Sequence, residues 1–115
     1  MATIEECRSA LDHLSDSMAG ANGDVRSAAA LDRSLSCRIT DLDITFVGRL
    51  RDGRIVVLDT VDGPPPEKAE IRLAMTGDDL VAMVAGELHF AKAWGSGRVR
   101  LEAGLRDLVR LRKLL

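Results

Sequence analysis

The feature that most restricts this chain is a block of period-two alternation that begins at Ser34. Leu35, Cys37 and Ile39 alternate with Ser36, Arg38 and Thr40, as in a strand with one buried face. After Asp41 to Asp43 the pattern resumes, with Ile44, Phe46, Gly48 and Leu50 set against Thr45, Val47, Arg49 and Arg51. Asp52-Gly53 then gives a type I′ hairpin signal leading into Arg54 to Val61. Strands joined this closely predict an antiparallel meander, and a meander with one apolar side needs a second layer to cover it.

The rest of the chain supplies more sheet and that second layer. Gly63-Pro64-Pro65-Pro66 cannot join a hydrogen-bonded ladder, so it is read as a loop before a fourth alternating run, Ala69, Ile71, Leu73 and Met75. Gly95-Ser96-Gly97 breaks the chain before a short final strand, Arg98 to Glu102. A first helix is predicted from Ile4, Cys7, Leu11, Leu14 and Met18, with Thr3 and Glu6 in capping-box spacing. Asp24 to Leu31 is Ala-rich and reads as a short second helix. Thr76 caps a further one that presents Leu80, Met83 and Val84 on one side and stops at Gly86. Leu88 to Trp94 reads as a short helical stretch. Leu105 to Leu115 reads as a closing helix with Leu105, Leu108, Val109, Leu111 and Leu115 on one side.

Composition removes several classes of function. With 115 residues there is one core to build, so residues 1–115 are read as a single domain. Hydrophobic residues at 46% and charged residues at 30% suit a globular chain, and no apolar run approaches the ~20 residues of a membrane-spanning helix. Cys7 and Cys37 lack CxxC spacing and nearby histidines, so buried free thiols are expected rather than a metal site or a disulfide framework. The net charge of −2 is unevenly spread. Residues 92–115 hold seven Lys and Arg against Glu102 and Asp107, a balance of +5, which leaves −7 for residues 1–91. Trp94, Phe46 and Phe90 are the only aromatics, too few for the stacking platforms of single-stranded nucleic-acid binders, so nucleic acid is not expected as a partner.

The run from Gly86 to Leu101, Gly-Glu-Leu-His-Phe-Ala-Lys-Ala-Trp-Gly-Ser-Gly-Arg-Val-Arg-Leu, resembles the signature of the sterol carrier protein type-2 domains. That signature runs glycine, x, leucine, four variable residues, alanine, a bulky residue, x-x-glycine and a basic-apolar-basic-apolar strand. The order of strands before it, ending at Thr76-Gly77-Asp78-Asp79-Leu80, is similar as well. The resemblance spans nearly the whole chain, although Ala103-Gly104 puts a glycine one residue later than is usual in the family. It implies an α+β fold: a five-stranded, mostly antiparallel sheet covered on one face by helices, with a hydrophobic tunnel for lipids between the layers. It further implies no cofactor and, because the sequence ends at Leu115 without a peroxisomal tripeptide, a bacterial, cytoplasmic member.

On that footing the residues expected to line a ligand site are Phe46, Leu73, Met75, Leu80, Met83, Val84, Phe90, Trp94, Leu105, Leu108 and Val109. Ordinary packing is the competing reading for each, since periodicity does not separate a filled core from a lined cavity. Trp94 is expected to anchor a helix to the sheet rather than to guard a tunnel mouth. His13 and His89 sit in no triad or metal arrangement, and Asp78 and Asp79 fall in a first helical turn where the helix dipole favours them. Arg106, Arg110, Arg112 and Lys113 form a basic face, expected to be solvated or to touch anionic membranes. The function expected is non-catalytic binding, and transfer, of a lipid or other apolar molecule. The alternative is a domain whose tunnel is filled by its own side chains and which forms a homodimer or docks an enzyme.

Overall fold

The computed structural model describes residues 2–19, 32–51, 54–88 and 90–111, without the side chains of 17–19, 90, 91, 110 and 111. Within them the order is α1 (Ile4–Ala19), β1 (Arg33–Ile39), β2 (Ile44–Arg51), β3 (Arg54–Asp62), β4 (Ile71–Met75), α2 (Gly77–Val84), α3 (Phe90–Gly95), β5 (Arg100–Ala103) and α4 (Leu105–Leu111). The expected helix over Asp24 to Leu31 and the Asp52-Gly53 turn itself lie outside the described residues, although Arg51 and Arg54 pair on either side of that turn.

The strands form one sheet in the order β3-β2-β1-β4-β5. β1 runs antiparallel to β2, β2 to β3 and β4 to β5, whereas β1 and β4 are parallel. The meander β1-β2-β3 thus forms as the alternation predicts. The loop holding Pro64 to Pro66 then carries the chain back across the sheet, so that β4 lies beside β1 rather than at the free edge of β3. Register puts the alternating apolar positions on one face. Leu35, Cys37 and Ile39 stand opposite Gly48, Phe46 and Ile44 on one side and Ile71, Leu73 and Met75 on the other, with Leu101 and Ala103 beyond. The other face carries Ser34, Ser36, Arg38, Thr45, Arg49 and Arg72, knitted by ion pairs from Arg38 to Asp43, Arg49 to Asp32 and Arg72 to Glu102.

β3, an edge strand, carries an irregularity in its pairing with β2. Between Val47 and Gly48 the register shifts, so that Val47 faces Asp59 while Gly48 faces Val57, and Leu58 is left over and 66% exposed. A bulge of this kind twists the strand and spoils the edge for further pairing. It also brings the β3 backbone very close to Gly48, where a Cβ would overlap the Val56 carbonyl oxygen.

The apolar face of the sheet builds a core with α1 and α2. Cys7, Ala10 and Leu11 from α1, Leu80 from α2, Ala93 from α3 and Val99 join Cys37, Ile39, Ile44, Phe46 and Met75 in one buried cluster. A second cluster, Leu35, Leu50 and Ile71, sits farther along the same face, and Leu73 touches both. Helix α1 starts as its capping box predicts. Glu6 N–H donates to Thr3 Oγ1 and Thr3 N–H to Glu6 Oε1, each at 3.1 Å. Toward its other end the buried Ser15 takes the Ile55 N–H at 3.0 Å, which satisfies a donor at the start of edge strand β3.

The close approach at the bulge gives a direct test. Gly48→Ala should destabilise by about 1–3 kcal/mol through forced backbone displacement. Gly104→Ala, where a Cβ meets nothing within 4 Å, should stay within about 0.5 kcal/mol. Denaturant unfolding of the two variants beside the parent checks both.

Candidate functional site

The candidate site is the apolar layer where α2 faces β1, β2 and β4, and hydrogen bonds fix α2 there at its N-terminus. Thr76 Oγ1 accepts from Asp79 N–H at 3.1 Å, and Gly77 N–H donates to Asp41 Oδ1 at 2.9 Å in the β1–β2 turn. Asp78 Oδ1 takes the Ala2 N–H at 2.7 Å, which ties the start of α1 to the start of α2. The buried Asp79 carboxylate pairs with Arg98 at 2.5 Å, holding the segment that leads from α3 into β5. The two aspartates therefore join three elements as well as standing at a favourable helix end. Gly77 is where the helices and sheet meet most tightly: a Cβ there would lie 2.9 Å from Cys7 Sγ and 3.3 Å from Ala2 Cβ.

Six of the expected ligand residues come together in this layer. Phe46, Met75 and Leu80 are fully buried in the main cluster, and Leu73, Met83 and Val84 are half-buried against it. Leu42, Val57, Val81 and Leu88 pack alongside them, none of which was singled out from the sequence. Trp94 is half-buried on α3 while its neighbour Ala93 is the residue that enters the core. The Phe90 side chain lies outside the described residues.

The last helix departs from expectation. Leu105 is 80% exposed and Val109 56%, and only Leu108 of the three expected on α4 is half-buried. The reason is a charge. Asp107 turns inward, buried, with one oxygen 3.1 Å from Arg33 Nε at the start of β1. Two residues along a helix is about 200° of rotation, so a helix that faces Asp107 inward turns Leu105 and Val109 outward. Over the described residues α4 therefore does not close the apolar layer. Arg106 is exposed, the Arg110 side chain lies outside the described residues, and so do Arg112 and Lys113 entirely.

A groove of about 550 Å³ opens between α1 and α2. α1 lines it with Glu5, Glu6, Ser9, Ala10 and His13, and α2 with Val81, Val84 and Ala85. It was not anticipated. The helical period marks Val81 and Val84 only as apolar, and which of them faces a neighbouring helix depends on where α1 lies.

The thiols are poor nucleophiles. Cys37 is completely enclosed and its pKa is pushed up to about 12 by burial, with Cys7 nearby adding to the effect. Cys7 is raised as well, by burial first and then by the negative charges of Asp41, Glu6 and Asp78. On the open face the Arg49 hydrogen bonds hold Asp32 below the ordinary carboxylate range. Among the described residues no group of three or more His, Cys, Asp or Glu side chains is placed to hold a metal ion, and no helix is long and apolar enough to cross a membrane.

Thiol burial has a pH signature. A thiol whose folded pKa exceeds its unfolded value stabilises fully below the unfolded value, near 9, and that contribution is lost as pH rises toward about 12. The sequence has no Tyr to titrate in the same range. The melting temperature should therefore fall above pH 9, less steeply in Cys37→Ala than in the parent. At pH 8 the folded protein should leave Cys37 unlabelled by a thiol reagent that reacts fully in denaturant.

No family model matches this sequence, and no curated protein sequence matches it. Solved structures do. A sterol carrier protein 2 crystal structure superposes with a TM-score of 0.64 at 17% identity, over 96% of this chain and 88% of that one. Palmitated sterol carrier protein 2 like 2 from Aedes aegypti gives 0.59 at 11% identity, over 98% and 93%. The stereoselective inverting sec-alkylsulfatase of a Pseudomonas species gives 0.54 at 24% identity. There the match covers 90% of this chain but only 16% of the enzyme, so the chain corresponds to a small part of that protein. The chain is an α+β protein with the fold of sterol carrier protein 2.

Proposed function

We propose that this chain binds an apolar small molecule, a lipid in the first instance, between the sheet and α2, and does not transform it. The observation that carries this reading is the state of the apolar layer. Leu73, Val81, Met83, Val84 and Leu88 pack against a fully buried floor of Phe46, Met75 and Leu80 and yet stay partly open. Apolar surface left accessible above a closed core gains about 25 cal/mol for each Å² that a ligand covers. Met75 and Met83 suit such a place, because an unbranched thioether repacks around different shapes with little strain. The neighbour from Aedes aegypti, solved in its palmitated form, supports a long acyl chain as the first ligand class to try. The protonated thiols and the capping and tethering roles of Asp78 and Asp79 favour a carrier over a catalyst.

Solvent extraction of freshly purified protein, followed by lipid mass spectrometry, should yield one apolar molecule per chain, and a fluorescent fatty acid should compete with it. Met83→Asp should weaken uptake by tenfold or more, roughly 1.4 kcal/mol, while leaving the chain folded, because Met83 is only half-buried. Leu80→Asp places an unpaired charge in the fully buried core and should prevent folding. A clean extract together with no uptake of fatty acids or sterols would reject the proposal.

A further inference from the structure

We propose that α4 of one copy of this chain docks into the α1–α2 groove of a second copy. The groove shares Val81 and Val84 with the surface proposed for lipid, so the two occupants compete there, and the inference rests on two unmatched surfaces that fit each other. On α4, Leu105 and Val109 stand one turn apart and exposed, with the exposed Arg106 beside them. The same segment of sequence carries Arg110, Arg112 and Lys113 against Asp107 alone, and Asp107 is already paired with Arg33. The groove offers the complement. Ala10, Val81 and Val84 give it apolar wall, and Glu5 and Glu6 line it with negative charge. Farther along α1, Asp12 is paired with Arg8 at 3.9 Å and Asp16 with Arg54 at 3.4 Å, so Glu5 and Glu6 carry the charge of the groove.

Dimensions and placement agree. Glu5 to His13 spans about 12 Å of helix and a seven-residue helix spans about 10 Å. Within one chain α1 leans on β3 and α4 on β5, and these strands are the opposite edges of the sheet. The Arg33–Asp107 pair holds α4 at its own edge. Its outward leucine and valine are therefore presented to another molecule, and mutual exchange between two copies satisfies both grooves by one two-fold contact.

Sedimentation velocity on the intact chain, at concentrations up to about 200 µM, tests this. The expected result is a dimer whose dissociation constant rises at least about tenfold in Leu105→Asp/Val109→Asp and in Glu5→Arg. Melting should be unchanged in Leu105→Asp/Val109→Asp, where both positions are exposed, and should fall only slightly in Glu5→Arg, which loses a favourable charge in the first turn of α1. Mixing Glu5→Arg with Arg106→Glu should restore association that neither shows alone. A parent chain monomeric throughout would overturn the inference, as would a dimer indifferent to these substitutions. Binding of a monomeric parent to phosphatidylserine vesicles, lost in Leu105→Asp/Val109→Asp, would overturn it in favour of a membrane surface.

Discussion

The structure depends on β1 being sealed on both edges. Its backbone is paired antiparallel to β2 and parallel to β4, and its side chains Leu35, Cys37 and Ile39 are at most 5% exposed. A hairpin reaches an antiparallel neighbour with a tight turn, whereas a parallel neighbour requires the chain to travel the length of the sheet and return. The proline-rich loop after β3 makes that return, and once β4 lies beside β1 its end at Met75 delivers Thr76 and α2 directly over the apolar face. Everything proposed about the ligand layer follows from this one placement.

The layer is tight where polar groups pin it and looser where they do not. At the start of α2 the Asp41, Asp78 and Asp79 bonds, with Gly77 against Cys7, leave no room for an added methyl group. One or two turns along, Met83 and Val84 are only half-buried. A helix clamped at one end and free of such bonds along its far half leaves apolar surface accessible without loosening the fold.

Charge decides the role of α4. An amphipathic helix of this length is marginal alone and exists where it docks. Here the docking contact includes a buried carboxylate held by Arg33, so the face carrying Leu105 and Val109 is turned away from the sheet.

The strands and most helix starts were legible in the sequence, because period-two alternation, the Thr3-Glu6 box and the Thr76 cap are local signals with local physical causes. Much of the buried core was legible too: Leu35, Cys37, Ile39, Phe46, Met75 and Leu80 lie where their periods place them. What tertiary structure alone decided was which surfaces meet. The parallel β1–β4 pairing, the bulge beside Gly48, the groove walled by Val81 and Val84, and the outward turn of Leu105 and Val109 each depend on residues far apart in the chain. Periodicity marks a side of a helix as apolar. An inward pull such as that of Arg33 on Asp107, across 74 residues of sequence, selects the side that is buried.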